Sequence, residues 1–566
     1  MFAHGLRNSG LIRRITLSLA FGVLITGLSL IASPSTLAQK SEGPIVTVSG
    51  GKVQGRLLPA PGGAVFKGIP YAAPPVGDLR WREPQPVKLW TGVRQAAEYG
   101  ADCIPNHAEG TTRIPPNHSD ATGATSEDCL FVNVWTPTWP TGAKTPVMIW
   151  LHGGELFGGT GALHSGPAEH AESSLARHGV VLVSINYRPH LLGMMAHPEL
   201  TAESPHRASG NYVILDAIAA LQWVHDNIAR FGGDPGNVTV FGQSGGATIT
   251  SYLVTSPLTK GLITRAIIES GAPAQVSRPP LSEQQLEQIG VKAAELLKAP
   301  STDAIKYLRG LPASEIAAAS KALWKSNVRF GEGIDGYAVL QAPPEVFRSH
   351  EEPRVPMIIG STAQDSNQIE GVSPLNPNAS PEETRAWVEN AVQVFYGQYQ
   401  DLLERAQKIY GLRGGPNEVS SYPPYGSVAY QLGVDLHHRC AVLTTASWHS
   451  TIAPTYVYEF TREIPSYPPV HESELRFVFG FLSTDEVADE SAHKLADAMQ
   501  TYWTNFAKTG NPNGPGLPLW PQYNATTKQA IDFTNDGPVQ RNEYRAVACA
   551  PYIDKTNRTP KLLSTK

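Results

Sequence analysis

The chain has 566 residues, 41% hydrophobic and 17% charged, a globular composition with ample core and no disordered or collagen-like bias. A formal net charge of -5 leaves no basic footprint, so nucleic acid is not an expected partner. No internal repeat or low-complexity linker divides the chain.

The first 38 residues differ from the rest. Arg7, Arg13 and Arg14 precede the apolar run Ile15 to Ile31, and Thr36-Leu37-Ala38 offers small residues for cleavage. This pattern predicts a secretory signal cut near Ala38, an exported (periplasmic or secreted) protein made of residues 39–566, and no stable membrane anchor after cleavage. The competing reading is an N-terminal anchor, because the run is close to the roughly 17-residue lower limit for spanning. Gly22 and Gly27 dilute that run, and the small-residue site follows it. Four cysteines, Cys103, Cys129, Cys440 and Cys549, form an even set in which pairing is expected, with three connectivities open. None is spaced like a zinc ligand set, and neither a metal nor a cofactor is expected.

Ile45 to Val53 alternates as a strand does, and the Pro- and Gly-studded run Gly68 to Trp81 reads as irregular coil. Ser126 to Pro137 reads as a strand entered through Glu127 and Asp128, which suit a structural salt bridge better than an acid pair. Val147-Met148-Ile149-Trp150-Leu151 is a continuous apolar run, as in a strand covered on both faces. It empties into His152-Gly153-Gly154-Glu155-Leu156-Phe157-Gly158-Gly159, a loop rich in exposed N–H groups. A phosphate cradle is the alternative, but the loop has neither a lysine nor a nucleotide-binding glycine pattern.

Val180 to Tyr187 is another buried strand, and Asn211 to Arg230 carries apolar residues at helical spacing. Val238 to Phe241 is a strand that stops at Gly242-Gln243-Ser244-Gly245-Gly246. A helix can follow from Ala247, so Ser244 stands on a strand-to-helix turn and is the candidate nucleophile. Gly154, Glu155 and Gly245 are the candidate oxyanion-hole donors, two from the glycine loop and one following the serine. The helical stretches Leu281 to Leu323 and Pro381 to Leu412 read as insertions that cap the sheet and wall a gorge.

Val355 to Gly360 is a strand that delivers Asp365 into the loop beyond it, and Tyr456 to Phe460 precedes a loop holding His471. Serine, acid, histidine is the chain order of an α/β-hydrolase triad, here Ser244, Asp365 and His471. Glu370 and Asp335 compete for the acid; His190, His197 and His225 compete for the base. The β-α-β-α rhythm predicts a mostly parallel sheet with helices on both faces.

These residues resemble the type-B carboxylesterase/lipase family, the cholinesterase-like α/β-hydrolases, over nearly the whole mature chain. The likeness lies in Gly68-Ile69-Pro70-Tyr71-Ala72, Leu79-Arg80-Trp81, Glu127-Asp128-Cys129-Leu130, His152-Gly153-Gly154, Ser209-Gly210-Asn211-Tyr212, Phe231-Gly232-Gly233-Asp234-Pro235 and His471-Glu472-Ser473-Glu474-Leu475. The resemblance implies a single hydrolase domain over 39–566, hydrolysis of a small-molecule ester through an acyl-enzyme, and bridges Cys103–Cys129 and Cys440–Cys549. It leaves two alternatives: a catalytically silent binding or adhesion protein, or an amide, carbamate or thioester hydrolase. Four positions depart from the family pattern. Gln243 replaces its glutamate, Gly245 its alanine, Glu155 a small residue, and Asp365 its glutamate.

Overall fold

The structure is a computed structural model that describes residues 43–59, 62–105, 124–142, 144–163, 174–275, 280–326, 328–414, 419–463, 468–482, 486 and 489–558. The expected signal, residues 1–38, lies outside them.

Eleven strands form the central sheet: β1 (Arg56–Leu57), β2 (Ala64–Pro70), β3 (Phe131–Thr136), β4 (Thr145–Leu151), β5 (Val181–Ile185), β6 (Gly233–Gln243), β7 (Arg265–Glu269), β8 (Met357–Thr362), β9 (Thr455–Phe460), β10 (Ala530–Thr534) and β11 (Gly537–Arg541). Their spatial order is β11-β10-β9-β8-β7-β6-β4-β5-β3-β2-β1. From β5 through β4, β6, β7, β8 and β9 to β10 all neighbours are parallel; antiparallel pairs appear only toward the two edges. The parallel strands are the apolar, β-branched runs, because each must bury both faces.

Alternation within these strands divides the core in two. Ile149, Val240, Ile268 and Ile359 face one cluster, with helices α1 (Tyr212–Asn227) and α2 (Gly245–Thr255). Also on that side are α3 (Cys440–His449) and α5 (Ala546–Arg558). Met148, Trp150, Phe241 and Ile358 face the other cluster, built largely on α4 (Glu490–Thr509). The sheet is thus a mostly parallel one with helices on both faces.

Two sequence expectations change. Ile45 to Val53 is not one strand: Ile45–Val48 folds back antiparallel on Gly51–Gln54 through Ser49-Gly50, and Val48 faces Gly51. The Gly68 run is not coil from its start, because β2 continues to Pro70 across an irregularity between Phe66 and Ile69, where Gly68 takes a φ of 64°. The first helical insertion is broken into Glu283–Leu296, Ala304–Arg309 and Ala313–Lys325. The second, Pro381–Tyr396 and Gln400–Ile409, packs toward α5, with Phe395 stacked on Tyr552.

Cys103 pairs with Cys129 and Cys440 with Cys549. No helix among the described residues is long and apolar enough to cross a membrane. Both facts are compatible with an exported protein.

Between Val428–Val434 and α3 lies a π-helical turn, Asp435–Arg439. Its Arg439 is wholly buried, donating to Asp435 Oδ1 (2.6 Å), Glu459 Oε1 (3.0 Å) and the Ala363 carbonyl (2.6 Å). A buried guanidinium is tolerated only when its donors are matched in this way.

Candidate active site

β6 ends at Gln243, and α2 begins at Gly245, so Ser244 alone makes the turn between them, at φ 54° and ψ -117°. The two flanking glycines are required by space. A methyl on Gly246 would lie 2.0 Å from the Leu151 carbonyl oxygen, and one on Gly242 would lie 2.6 Å from the Gly246 carbonyl. The strained turn lifts Ser244 to the wall of a cavity of about 460 Å³ at the head of α2. Free N–H groups at a helix start favour developing negative charge there.

Beyond β4, Phe157 N–H donates to the Gly154 carbonyl (2.8 Å), closing a turn whose central residues Glu155 and Leu156 have φ 53° and 62°. Left-handed backbone at two non-glycine residues costs about 1–2 kcal/mol each. The turn brings main-chain nitrogens close to Gly245, the residue after the serine: a methyl there would lie 3.1 Å from Leu156 N and 3.4 Å from Glu155 N. Gly154, Glu155 and Gly245 all line the cavity, and Glu155 is exposed.

Asp365 follows β8 and His471 follows β9. The two loops are joined by a bridge between Gln364 and Val470, with Gln364 N–H donating to the Pro469 carbonyl (2.9 Å). That pairing sets His471 beside Asp365, and its Nδ1 hydrogen-bonds Asp365 Oδ1. Asp365 is wholly buried. Its Oδ1 also accepts from Ser366 N (2.7 Å) and its Oδ2 from Thr362 N (3.1 Å). Burial alone would raise the carboxyl, but the charges of His438 and His471 and hydrogen bonds from His471 and Ser270 hold it well below the usual carboxylate range. Burial alone would likewise depress His471; the Asp365 charge and hydrogen bond, with Glu472 and Glu474 behind them, raise it to about 9.

The rival acids and bases lie elsewhere. Asp335 is buried but holds its own turn, accepting from Tyr337 N and Val339 N, and from Asn211 Nδ2. Glu370 is exposed. His190 is buried, with Nε2 2.8 Å from the Ile104 carbonyl; His197 caps Pro198–Glu203; His225 is an exposed neighbour of Asp226. Arg80 makes a two-pronged ion pair with Glu127, so that carboxylate is structural, while Asp128 is exposed.

Three neighbours of the site make contacts not read from sequence, where Gln243 is only a departure from the family pattern and His438 and Glu474 have no assigned role. Gln243 is wholly buried, and its Nε2 lies 3.1 Å from His471 Nε2 and 3.5 Å from Nδ1. A donor so nearly equidistant from both ring nitrogens lies over the face of the imidazole, not in its plane. A carboxylate there would favour the imidazolium; the amide of Gln243 does not. His438, on the π turn, has Nε2 3.6 Å from Asp365 Oδ1 and its ring 19° from that of His471. Glu474 is buried with Glu269: Trp503 Nε1 donates to Glu269 Oε1 (2.6 Å), while Ser270 Oγ and Tyr458 OH approach Glu474 Oε1 at 3.4 Å. Burial and then the Asp365 charge push Glu474 up to about 8, and burial and then Glu474 raise Glu269 well above its ordinary value. The His437-His438 doublet and the Glu472, Glu474 spacing were the available sequence signals.

Of the predicted gorge walls, the first insertion contributes Lys321 and Trp324, with Phe157 edge-on to Trp324 and to Phe330. The second insertion is not among the cavity's lining residues, because it is spent against α5.

Residues 42–550 match the carboxylesterase family. The chain is 33% identical to fumonisin B1 esterase of Sphingopyxis macrogoltabida over 475 residues, 81% of each chain. It is 32% identical to the medium-chain fatty acyl-CoA hydrolase precursor of Anas platyrhynchos, covering 90% of this chain and 92% of that one. It is also 32% identical to human cocaine esterase, covering 86% and 87%. With an α/β-hydrolase sheet, a serine elbow, a family match over residues 42–550 and relatives named as esterases that it matches over most of their length, this chain belongs to the carboxylesterase family and is a serine carboxylic-ester hydrolase.

Proposed function

We propose that Ser244, His471 and Asp365 are the triad of this esterase and that the N–H groups of Gly154, Glu155 and Gly245 form its oxyanion hole. With Nδ1–H given to Asp365, the His471 lone pair is on Nε2 and can take the Ser244 proton as Oγ attacks the ester carbonyl. The oxygen of that carbonyl becomes anionic against the helix start and the glycine loop, where fixed amide dipoles need no reorganisation. Collapse expels the alcohol, protonated by His471, and leaves an acyl-enzyme that water cleaves by the same sequence. Asp365 stays ionised throughout, holding the imidazole's orientation and stabilising its cation.

The observation that carries this assignment is the hydrogen bond between His471 and the buried Asp365 beside a cavity onto which the Ser244 turn opens. We further propose that residues 39–566 act as one catalytic domain, exported after cleavage near Ala38. The substrate is a small-molecule ester whose acyl part fits a cavity of about 460 Å³. The test is covalent labelling by an organophosphate, with hydrolysis of an ester panel that includes amide and thioester counterparts. Ser244→Ala should lose labelling and turnover while keeping its fold. Labelling that survives in Ser244→Ala would dismiss the nucleophile.

A further inference from the structure

Oδ1 of Asp365 is approached from two sides, by Nδ1 of His471 and by Nε2 of His438 at 3.6 Å. One ligand atom from each of these three residues lies within 4.8 Å of the other two. They come from three elements: the loop after β8, the π turn, and the loop after β9. Their support is rigid. Asp365 is held by Ser366 N and Thr362 N, and Arg439, next to His438, is pinned to Asp435, Glu459 and the Ala363 carbonyl.

Two imidazole nitrogens and one carboxylate oxygen are the donor set of borderline cations. Zinc accepts it at about 2.0–2.2 Å per ligand, whereas magnesium and calcium prefer oxygen alone. Ligands around a tetrahedral zinc stand roughly 3.3–3.5 Å apart, and the gap between Asp365 and His438 is already close to that. Both histidines line the cavity, so an ion can arrive by the substrate's route.

We propose that Asp365, His438 and His471 form an inhibitory site for a single zinc ion. The metal takes the place on Nδ1 of the hydrogen that His471 gives to Asp365; Nε2 then carries the remaining proton, moved from Nδ1 in the neutral imidazole or kept when the imidazolium releases its other proton to solvent, and water completes the coordination. A zinc-bound His471 loses both its orienting partner and its basicity, so ester hydrolysis stops until the ion is removed. Inhibition rests on the triad proposed above; binding of the ion does not.

The experiment titrates the metal-free full chain with zinc chloride, by calorimetry and by ester hydrolysis, with EDTA to reverse. Wild type should bind one zinc, lose hydrolysis in step with occupancy, and recover with EDTA. His438→Gln, read as the ratio of its rates with and without zinc, should need about 100-fold more zinc. His437→Gln, on the same turn but outside the trio, should keep wild-type sensitivity. Ser244→Ala should bind zinc as wild type does, which separates a failed site from a failed nucleophile. His438→Asn serves if His438→Gln does not fold, judged by circular dichroism. No stoichiometric binding, binding without inhibition, or sensitivity unchanged by loss of His438 would each overturn the proposal.

Discussion

Asp365→Asn tests the acid by charge alone, because the donors around it dictate how the amide must sit. Two N–H groups, from Ser366 and His471, converge on Oδ1, and one, from Thr362, on Oδ2. The asparagine oxygen therefore takes the Oδ1 place and keeps His471 in its proper tautomer, leaving the NH₂ against Thr362 N–H. That mismatch costs about 1–3 kcal/mol of stability. The larger loss is electrostatic. Asp365 is the main reason that His471 stands at about 9 and not at 6.5, a difference worth roughly 3 kcal/mol to the imidazolium formed during attack. Above pH 9, where wild-type His471 is neutral and ready, kcat/KM should fall about 10²–10³-fold. At neutral pH the gap should narrow, because the wild-type imidazole is largely protonated there and the variant's is not. The assay is a kcat/KM profile against pH for wild type, Asp365→Asn and Glu370→Gln. An acid limb that stays near 9 with near-normal turnover in Asp365→Asn would refute the assignment, and decisively so if Glu370→Gln were the inactive protein.

Glu155→Gly should keep turnover within roughly tenfold, about 1.4 kcal/mol, because the proposed hole uses only its main-chain N–H; a much larger loss in ester hydrolysis would give the carboxylate a role of its own. Glu474 is held near 8 in the fold against an ordinary 4.5, so the folded chain keeps a proton that the unfolded chain sheds. Its contribution to stability is full below about 4.5 and is lost as pH rises toward about 8. Glu474→Gln should therefore flatten the fall of Tm across that interval, and a parallel fall would show that the carboxyl is not the cause. Replacing Cys440 and Cys549 together by serine opens a loop of 109 residues, which on the chain-entropy account removes about 4–5 kcal/mol. Denaturant unfolding measures it, and a change under 1 kcal/mol, roughly, would contradict that account.

Some of the site was readable from local pattern, and some was not. Gly242-x-Ser244-x-Gly246 could be read because a strand, a tight turn and a helix each leave a short-range signature. Asp365 and His471 could be ranked by their strands, since an apolar run ending in a polar loop shows which residue is delivered at the sheet's edge. Gln243 could be seen as a departure, but not as a group lying on the His471 ring, because that contact joins positions 228 apart. His438 and Arg439 were missed for a different reason. Their helix carries apolar residues all round, and the extra residue of a π turn breaks the 3.6-residue period by which a face is assigned. The Ser49-Gly50 turn escaped because two residues are too short a break to stand out in a run of nine, although the buried face passes from Val46 and Val48 to Val53, from even positions to an odd one.

The π turn at Asp435–Arg439 also bears on how this site could have arisen. A single π turn amounts to one residue inserted into an α-helix, and each helical residue turns the chain by about 100°. Upstream of the insertion, Tyr430 OH reaches the carbonyls of Gln364 and Asp365; downstream, Cys440 meets Cys549. Deleting one codon between 435 and 439 would restore a regular helix but rotate one of these partners away from its target. An ancestor without the insertion would have had to forgo either the tyrosine's hold on the acid loop or the bridge to the C-terminal helix. His438, inside the turn, stands 3.6 Å from Asp365 with both of those contacts in place.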